Sequence, residues 1–230
     1  MPACFSSRRG MRTLLFLMLG VMVAGAAAQA PADRVEGPGV KAGDTWIFNK
    51  VNGWNGEIED ISVVKVKRVA PDGIFMEATA LDGSGLARIQ RTPDFNLVRI
   101  EAAQFTKTTL PFYPNFSFPL WVGKTWKGKV AFDNTAEQGK EVRAELEARV
   151  VGHEMVTVPA GTFHTLKIVM EGQYKTVPTP EYWSGTGRIT DTLWYSPVVR
   201  NAVRYEYKDT VGTSTYNHEI HELVRFWLVP

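Results

Sequence analysis

The sequence predicts an all-β chain, folded as a curved antiparallel sheet or half-barrel, and three observations carry that expectation. From Glu141 to Val151, the residues Val142, Ala144, Leu146, Ala148 and Val150 alternate with Glu141, Arg143, Glu145, Glu147 and Arg149. That is the period of two of a strand with one buried face. The 230 residues include 20 Gly and 13 Pro, which divide the chain into short elements joined by turns. The motif Gly43-Asp44-Thr45-Trp46 returns as Gly123-Lys124-Thr125-Trp126, so the sheet reads as two duplicated meander halves. Strands in succession, with no interleaved helical pattern, exclude an α/β fold.

In chain order, the first element is an address. Arg8, Arg9 and Arg12 precede the apolar run Leu14 to Val23 and the small residues Ala24 to Ala30, the pattern of a secretory signal. Cleavage is expected after Ala28, giving a signal peptide at 1–28 and a single β-rich domain at 29–230. Met11 is a second candidate start. The apolar run is too short to span a membrane, and no later segment is long and apolar enough, so an exported, soluble, periplasmic or secreted protein is expected. Removing three of the 26 basic residues leaves 23 against 24 acidic ones, a balance that gives no nucleic-acid surface. The one cysteine, Cys4, leaves with the signal, so the mature chain has no disulfide and no thiol nucleophile.

The strands expected next are Thr45 to Val51, Ile61 to Val69, Ile74 to Ala80, Leu86 to Arg91 and Leu97 to Ala102. Apolar parity switches at Val63–Val64, which predicts a bulge there. The second half supplies Thr125 to Phe132, Glu141 to Val151, Phe163 to Glu171, Arg188 to Tyr195, Val203 to Lys208 and His218 to Leu228. Turn signals separate them, including Pro71-Asp72-Gly73 and Pro159-Ala160-Gly161. Thr92-Pro93 followed by Val98-Arg99-Ile100-Glu101 is echoed by Ser196-Pro197 followed by Val203-Arg204-Tyr205-Glu206. The quasi-repeats thus cover about 40–109 and 120–208, with the Pro- and aromatic-rich segment 110–121 as linker.

The segments Val40-Lys41-Ala42-Gly43-Asp44-Thr45-Trp46, Phe118-Pro119-Leu120-Trp121-Val122-Gly123-Lys124-Thr125-Trp126, Val158-Pro159-Ala160-Gly161-Thr162-Phe163 and Trp194-Tyr195-Ser196-Pro197 together resemble an uncharacterised group of exported bacterial β-rich proteins, related to those called TapB-like. The resemblance implies a curved antiparallel sheet in the cell envelope. It brings with it no activity, cofactor or catalytic residue.

The residues mark no catalytic or metal site. In a strand His218 and His221 face opposite sides, so the run His218-Glu219-Ile220-His221-Glu222 reads as a polar patch facing solvent. His153-Glu154 falls at an expected turn, and His164 at a strand start. Ser184 in Trp183-Ser184-Gly185-Thr186-Gly187 lacks the preceding glycine of a nucleophile elbow. The informative surplus is aromatic. Phe112, Tyr113, Phe116 and Trp121 crowd the linker, while Trp54 and Trp183 sit in polar or Gly-rich turns. Aromatic rings in such places either complete a core or bind a ligand. These six are the candidate ligand-binding residues. The expected protein is a non-catalytic envelope protein, without cofactor, that binds an apolar or glycan ligand or an envelope partner. The alternative is an envelope hydrolase with a carboxylate/His site that no motif marks.

Overall fold

The computed structural model describes residues 34–135, 141–177 and 185–230; the expected signal peptide lies outside them. Among the described residues there are twelve strands and no helix: β1 (Thr45–Asn52), β2 (Ile58–Ala70), β3 (Gly73–Ala80), β4 (Ala87–Arg91), β5 (Leu97–Ala102), β6 (Thr106–Tyr113), β7 (Thr125–Asn134), β8 (Glu141–Val158), β9 (Gly161–Thr176), β10 (Thr186–Ser196), β11 (Asn201–Val211) and β12 (Ser214–Trp227). Every strand pairs antiparallel with its neighbour in sequence, and β1 pairs with β12 from Thr45↔Trp227 to Asn52↔Glu219. The result is a closed barrel, rather than the curved sheet or half-barrel expected. Alternation tells which face of a strand is apolar but not which strand lies beside it. Closure buries the apolar face on the inside and leaves no bare edge.

The strand β8 shows the rule. Ala144, Leu146, Ala148 and Val150 are buried inside, and Arg143, Glu145, Glu147 and Arg149 are exposed. The outer acids meet lysines of β7, with Lys129 to Glu145 at 2.8 Å and Lys127 to Glu147 at 3.0 Å. A barrel that faces lipid carries an outward apolar band, whereas the outward rows of β7 and β8 are charged. No helix among the described residues is long and apolar enough to cross a membrane.

Three local expectations are corrected. The register of β2 shifts at Glu59 against β1 and at Lys67 against β3 and not at Val63–Val64, because Ser62, Val64 and Val66 keep one inward parity between those points. His153-Glu154 is not a turn: β8 runs on to Val158, and a register shift between Val150 and Gly152 absorbs the break in alternation. Residues 106–113 of the segment read as loop and linker form β6. Its Pro111 lies beyond the β6–β7 ladder, which spans Lys107 to Leu110, and at a register shift against β5, where no N–H is needed.

One end of the barrel is closed by the chain that follows β6. Phe116 is buried, with its ring 6.3 Å from Phe95, 5.7 Å from Phe118 and 5.5 Å from Tyr195. Buried Asn96 clamps it: Asn96 Nδ2 donates to the Phe116 carbonyl at 2.9 Å, and Phe116 N–H donates to Asn96 Oδ1 at 2.8 Å. Val35 pairs with Leu120 across the same end.

The turns before β1 and β7 both carry a positive-φ glycine, and the β4–β5 and β10–β11 turns both carry a positive-φ residue other than glycine. Gly43 (φ 98) and Gly123 (φ 92) occupy the left-handed region that favours glycine. Each donates its N–H to a carbonyl of the second strand that follows, Gly43 to Val66 of β2 and Gly123 to Val150 of β8, both at 2.8 Å. Phe95 and Arg200 end the β4–β5 and β10–β11 turns, each with positive φ. The indoles of Trp46 and Trp126 donate to the carbonyls of Val199 and Pro114 at 2.9 and 2.8 Å.

Candidate functional site

The inward faces leave a lumen of about 810 Å³. Its wall is mainly aliphatic and aromatic, with Phe48, Val64, Met76, Ile89, Leu97, Ile100, Phe132, Ile189 and Leu193. Phe95 and Phe116 form its floor at the closed end. At the other end the lining residues Val211 and Tyr216 are exposed, so the lumen reaches the surface there. On β11 the lining runs from Ala202 to Val211. At about 3.3 Å per residue and a strand tilt of about 40°, that is a depth of roughly 20 Å.

Polar groups interrupt this wall, Lys107, Asp209, Glu219 and His221 among them, and Asp191 lies buried behind it. Asp191 of β10 is buried completely, and accepts hydrogen bonds from Tyr205 Oη to Oδ1 at 2.6 Å and from Tyr113 Oη to Oδ2. Burial pushes the carboxyl up to about 6 against the pull of those two hydroxyls. Burial likewise raises both tyrosines well above the usual phenol range, with the Asp191 charge adding to it.

Glu219 of β12 lines the lumen. It meets Lys50 Nζ at 3.2 Å, Asn217 Nδ2 at 3.1 Å and His221 Nε2 at 3.8 Å. The imidazole of His221, then Asn217 and Lys50, draw Glu219 down to about 2 against the cost of burial. Arg91, at the end of β4, faces the floor. Its Nη1 donates to the Phe95 carbonyl at 2.9 Å, and its guanidinium lies 4.6 Å from the centre of the Phe95 ring.

Asp191 gives a pH prediction. Its folded pKa of about 6 exceeds the ordinary 3.8, so between those values the folded chain holds a proton that the unfolded chain has lost. Stability from this group is therefore greatest at low pH and falls as pH rises through about 6. Relative to Asp191→Asn, the native chain should lose about 2 kcal/mol between pH 4.5 and 7.5. Urea unfolding of both proteins at the two pH values measures this, and parallel pH profiles would refute the assignment.

Of the six aromatic residues singled out in sequence, Tyr113 and Phe116 line the lumen. Trp54 is exposed in the β1–β2 connection, with its ring 6.0 Å from His218. Phe112 is half-buried on β6, opposite in parity to Tyr113. Trp121 is 38% exposed outside the closed end, with Arg34 and Lys124 against its ring. Trp183 lies outside the described residues. The five placed residues thus do not form one surface.

His218 and His221 fall on opposite faces, as their spacing predicts. His218 meets Glu206 at 2.9 Å outside the lumen, whereas His221 faces inward against Tyr205, rings 5.8 Å apart. The expected solvent-facing patch is therefore corrected for His221 and Glu219. His153 and His164, on paired strands, have their rings 5.2 Å apart. Sequence reasoning passed over Asp191, although it shares parity with Ile189, Leu193 and Tyr195. A carboxylate on an apolar face was the available signal. Arg91, in step with Ile89, carried the same one.

No protein-family model matches the chain, and neither does any curated protein. Solved structures do resemble it. A Bacteroides fragilis protein of YmcC-like fold, described as exported, is 19% identical, with 85% of this chain and 100% of that chain covered and a TM-score of 0.51. A Parabacteroides distasonis protein described as a lipoprotein is 16% identical over 81% of this chain and 96% of its own, with a TM-score of 0.49. The hypothetical lipoprotein YmcC of Escherichia coli is 9% identical over 80% and 84%, with a TM-score of 0.42. At these identities, the Bacteroides fragilis structure relates this chain to the YmcC-like fold and to nothing further. None of the three carries the TapB-like name.

Proposed function

We propose that the chain is an exported envelope protein that holds a small molecule with a largely apolar body inside its barrel, without catalysis. One observation carries the reading: a closed barrel, plugged at one end, keeps a lumen of about 810 Å³ behind a mainly apolar wall. Sites for small molecules occupy about 300–1,000 Å³ and combine an apolar lining with a few placed polar groups. Tyr113 and Phe116 act here as wall and floor. Export is supported by the basic, apolar and small-residue regions of the first thirty residues, and by the description of the Bacteroides fragilis neighbour as exported. The second reading, a hydrolase, draws on the Glu219–His221 pair inside the lumen.

The test is binding of N-phenyl-1-naphthylamine, a neutral apolar probe whose fluorescence rises out of water. The native protein should bind one probe per chain. Ala78→Trp, which puts an indole into the lumen, should weaken binding at least tenfold, or by about 1.4 kcal/mol, while Glu145→Lys on the outer face leaves it unchanged. No binding by the native chain, or equal binding in Ala78→Trp, would refute the reading. Turnover of a naphthyl ester that disappears in Glu219→Gln would favour the hydrolase.

A further inference from the structure

Two cations that line the lumen, Arg91 and Lys107, make no ion pair among the described residues; Lys107 lies over the Phe132 ring and its charge acts on Asp191, whereas no carboxylate among the described residues acts on Arg91. The β4 parity of Arg91, shared with Ala87 and Ile89, points it inward, to the closed end of the cavity that it lines. Among the described residues, one hydrogen bond engages the guanidinium, from Nη1 to the Phe95 carbonyl. Its Nε is shut away from solvent and has no acceptor. The acids that line the lumen or lie behind its wall are already committed, Asp209 to the Tyr174 hydroxyl at 2.8 Å. Asp191 takes the hydroxyls of Tyr113 and Tyr205, and Glu219 takes Lys50, Asn217 and His221. Burial lowers Arg91 only to about 10, so it stays charged at neutral pH.

A buried charged donor left without an acceptor keeps the full cost of its desolvation. The Phe95 ring packed against the guanidinium holds it in place. A planar cation fixed in that way, with donors still to be used, is complementary to a carboxylate, which can accept two parallel N–H bonds. The rest of the cavity, roughly 20 Å deep by the estimate above, suits an extended hydrocarbon.

Resting on the lumen reading above, we propose that the ligand is an anionic amphiphile, a long-chain carboxylic acid bound head-inward. Its carboxylate pairs with Arg91 at the floor, and its chain runs past Leu97 and Ile100 towards Val211 and Tyr216. A neutral ligand of the same length fills the same wall but leaves Arg91 without a counter-ion. Selectivity for the acid over the alcohol follows, because a site built around a polar contact discriminates strongly against an analogue that lacks it.

Displacement of N-phenyl-1-naphthylamine by palmitate, hexadecanol and hexadecylamine at pH 7.5 tests this directly. The native protein should bind palmitate at least about tenfold more tightly than hexadecanol, with the amine weakest. In Arg91→Met, which keeps the apolar stem and removes the charge, hexadecanol should bind within about threefold of its native affinity and palmitate should fall to the same level. Equal native affinity for acid and alcohol, with probe binding intact, would overturn the anion site and leave the lumen reading standing. Failure of the native chain to bind probe, acid or alcohol would instead overturn the lumen reading itself. An acid preference that survives in folded Arg91→Met would overturn the role of Arg91. The acid–alcohol comparison in the native protein decides between an anion site and a purely apolar lumen even if that variant does not fold, and Arg91→Lys, which keeps the charge, then tests the residue by retaining the acid preference.

Discussion

Leu146→Asp is expected to unfold the protein, and Glu145→Lys, one residue away, to leave its unfolding midpoint in place. Leu146 is 3% exposed inside the barrel, at the centre of the β8 row formed by Ala144, Leu146, Ala148 and Val150. A carboxylate there has neither water nor a cationic partner, and loses the packing of the leucine as well. The combined cost is on the order of 5 kcal/mol, the scale of a small domain's whole stability. Glu145 stands on the opposite face, paired with Lys129 across exposed surface, so its replacement empties no core. Urea unfolding followed by circular dichroism separates the two cases. Similar losses from both changes would mean that inside and outside have been exchanged along β8.

Asp44→Ala should cost about 3–5 kcal/mol, as removal of one member of a buried ion pair does. Asp44 is completely buried in the turn before β1. It accepts the N–H groups of Lys41 and Val229 at 2.9 and 2.8 Å, and Arg200 Nη1 meets both its oxygens at 3.1 and 3.2 Å. One carboxylate therefore joins the entry to β1, the β10–β11 turn and the chain after β12. Arg200→Ala should be milder, since Asp44 keeps its two backbone donors. Chemical denaturation of the two variants ranks them, and an Asp44→Ala protein as stable as Arg200→Ala would argue against this latch.

The fold was legible wherever one face of a strand is apolar and the other is charged. Glu141 to Val151 announces itself because Leu146 and Glu145 cannot trade places. The strand β6 was not legible, because Pro111 and the aromatic residues around it hide a short ladder ending at Leu110. Closure was not legible either, since pairing between Thr45 and Trp227 leaves no mark on the sequence near either residue. In β12 the rule lost its contrast, because Asn217, Glu219 and His221 inside are as polar as His218 and Glu222 outside. A polar lumen residue and a solvated one then look alike. The site was thus hidden by the feature that makes it a site: charged groups placed on a face that alternation assigns to the core.

The seam between β1 and β12 has a consequence for how the chain reaches its native state. Eleven of the twelve pairings join strands that follow each other directly, so hairpin after hairpin can form by short loop closures. The twelfth joins Thr45 to Trp227 and must wait for almost the entire chain. During synthesis from the N-terminus, β1 therefore carries a bare hydrogen-bonding edge until the last strand is made, and such an edge is a template for aggregation. The contact from Val229 to Asp44 can form only at that final step. The barrel stays vulnerable throughout its assembly and becomes edgeless in a single late event, after which Asp44 holds the seam shut.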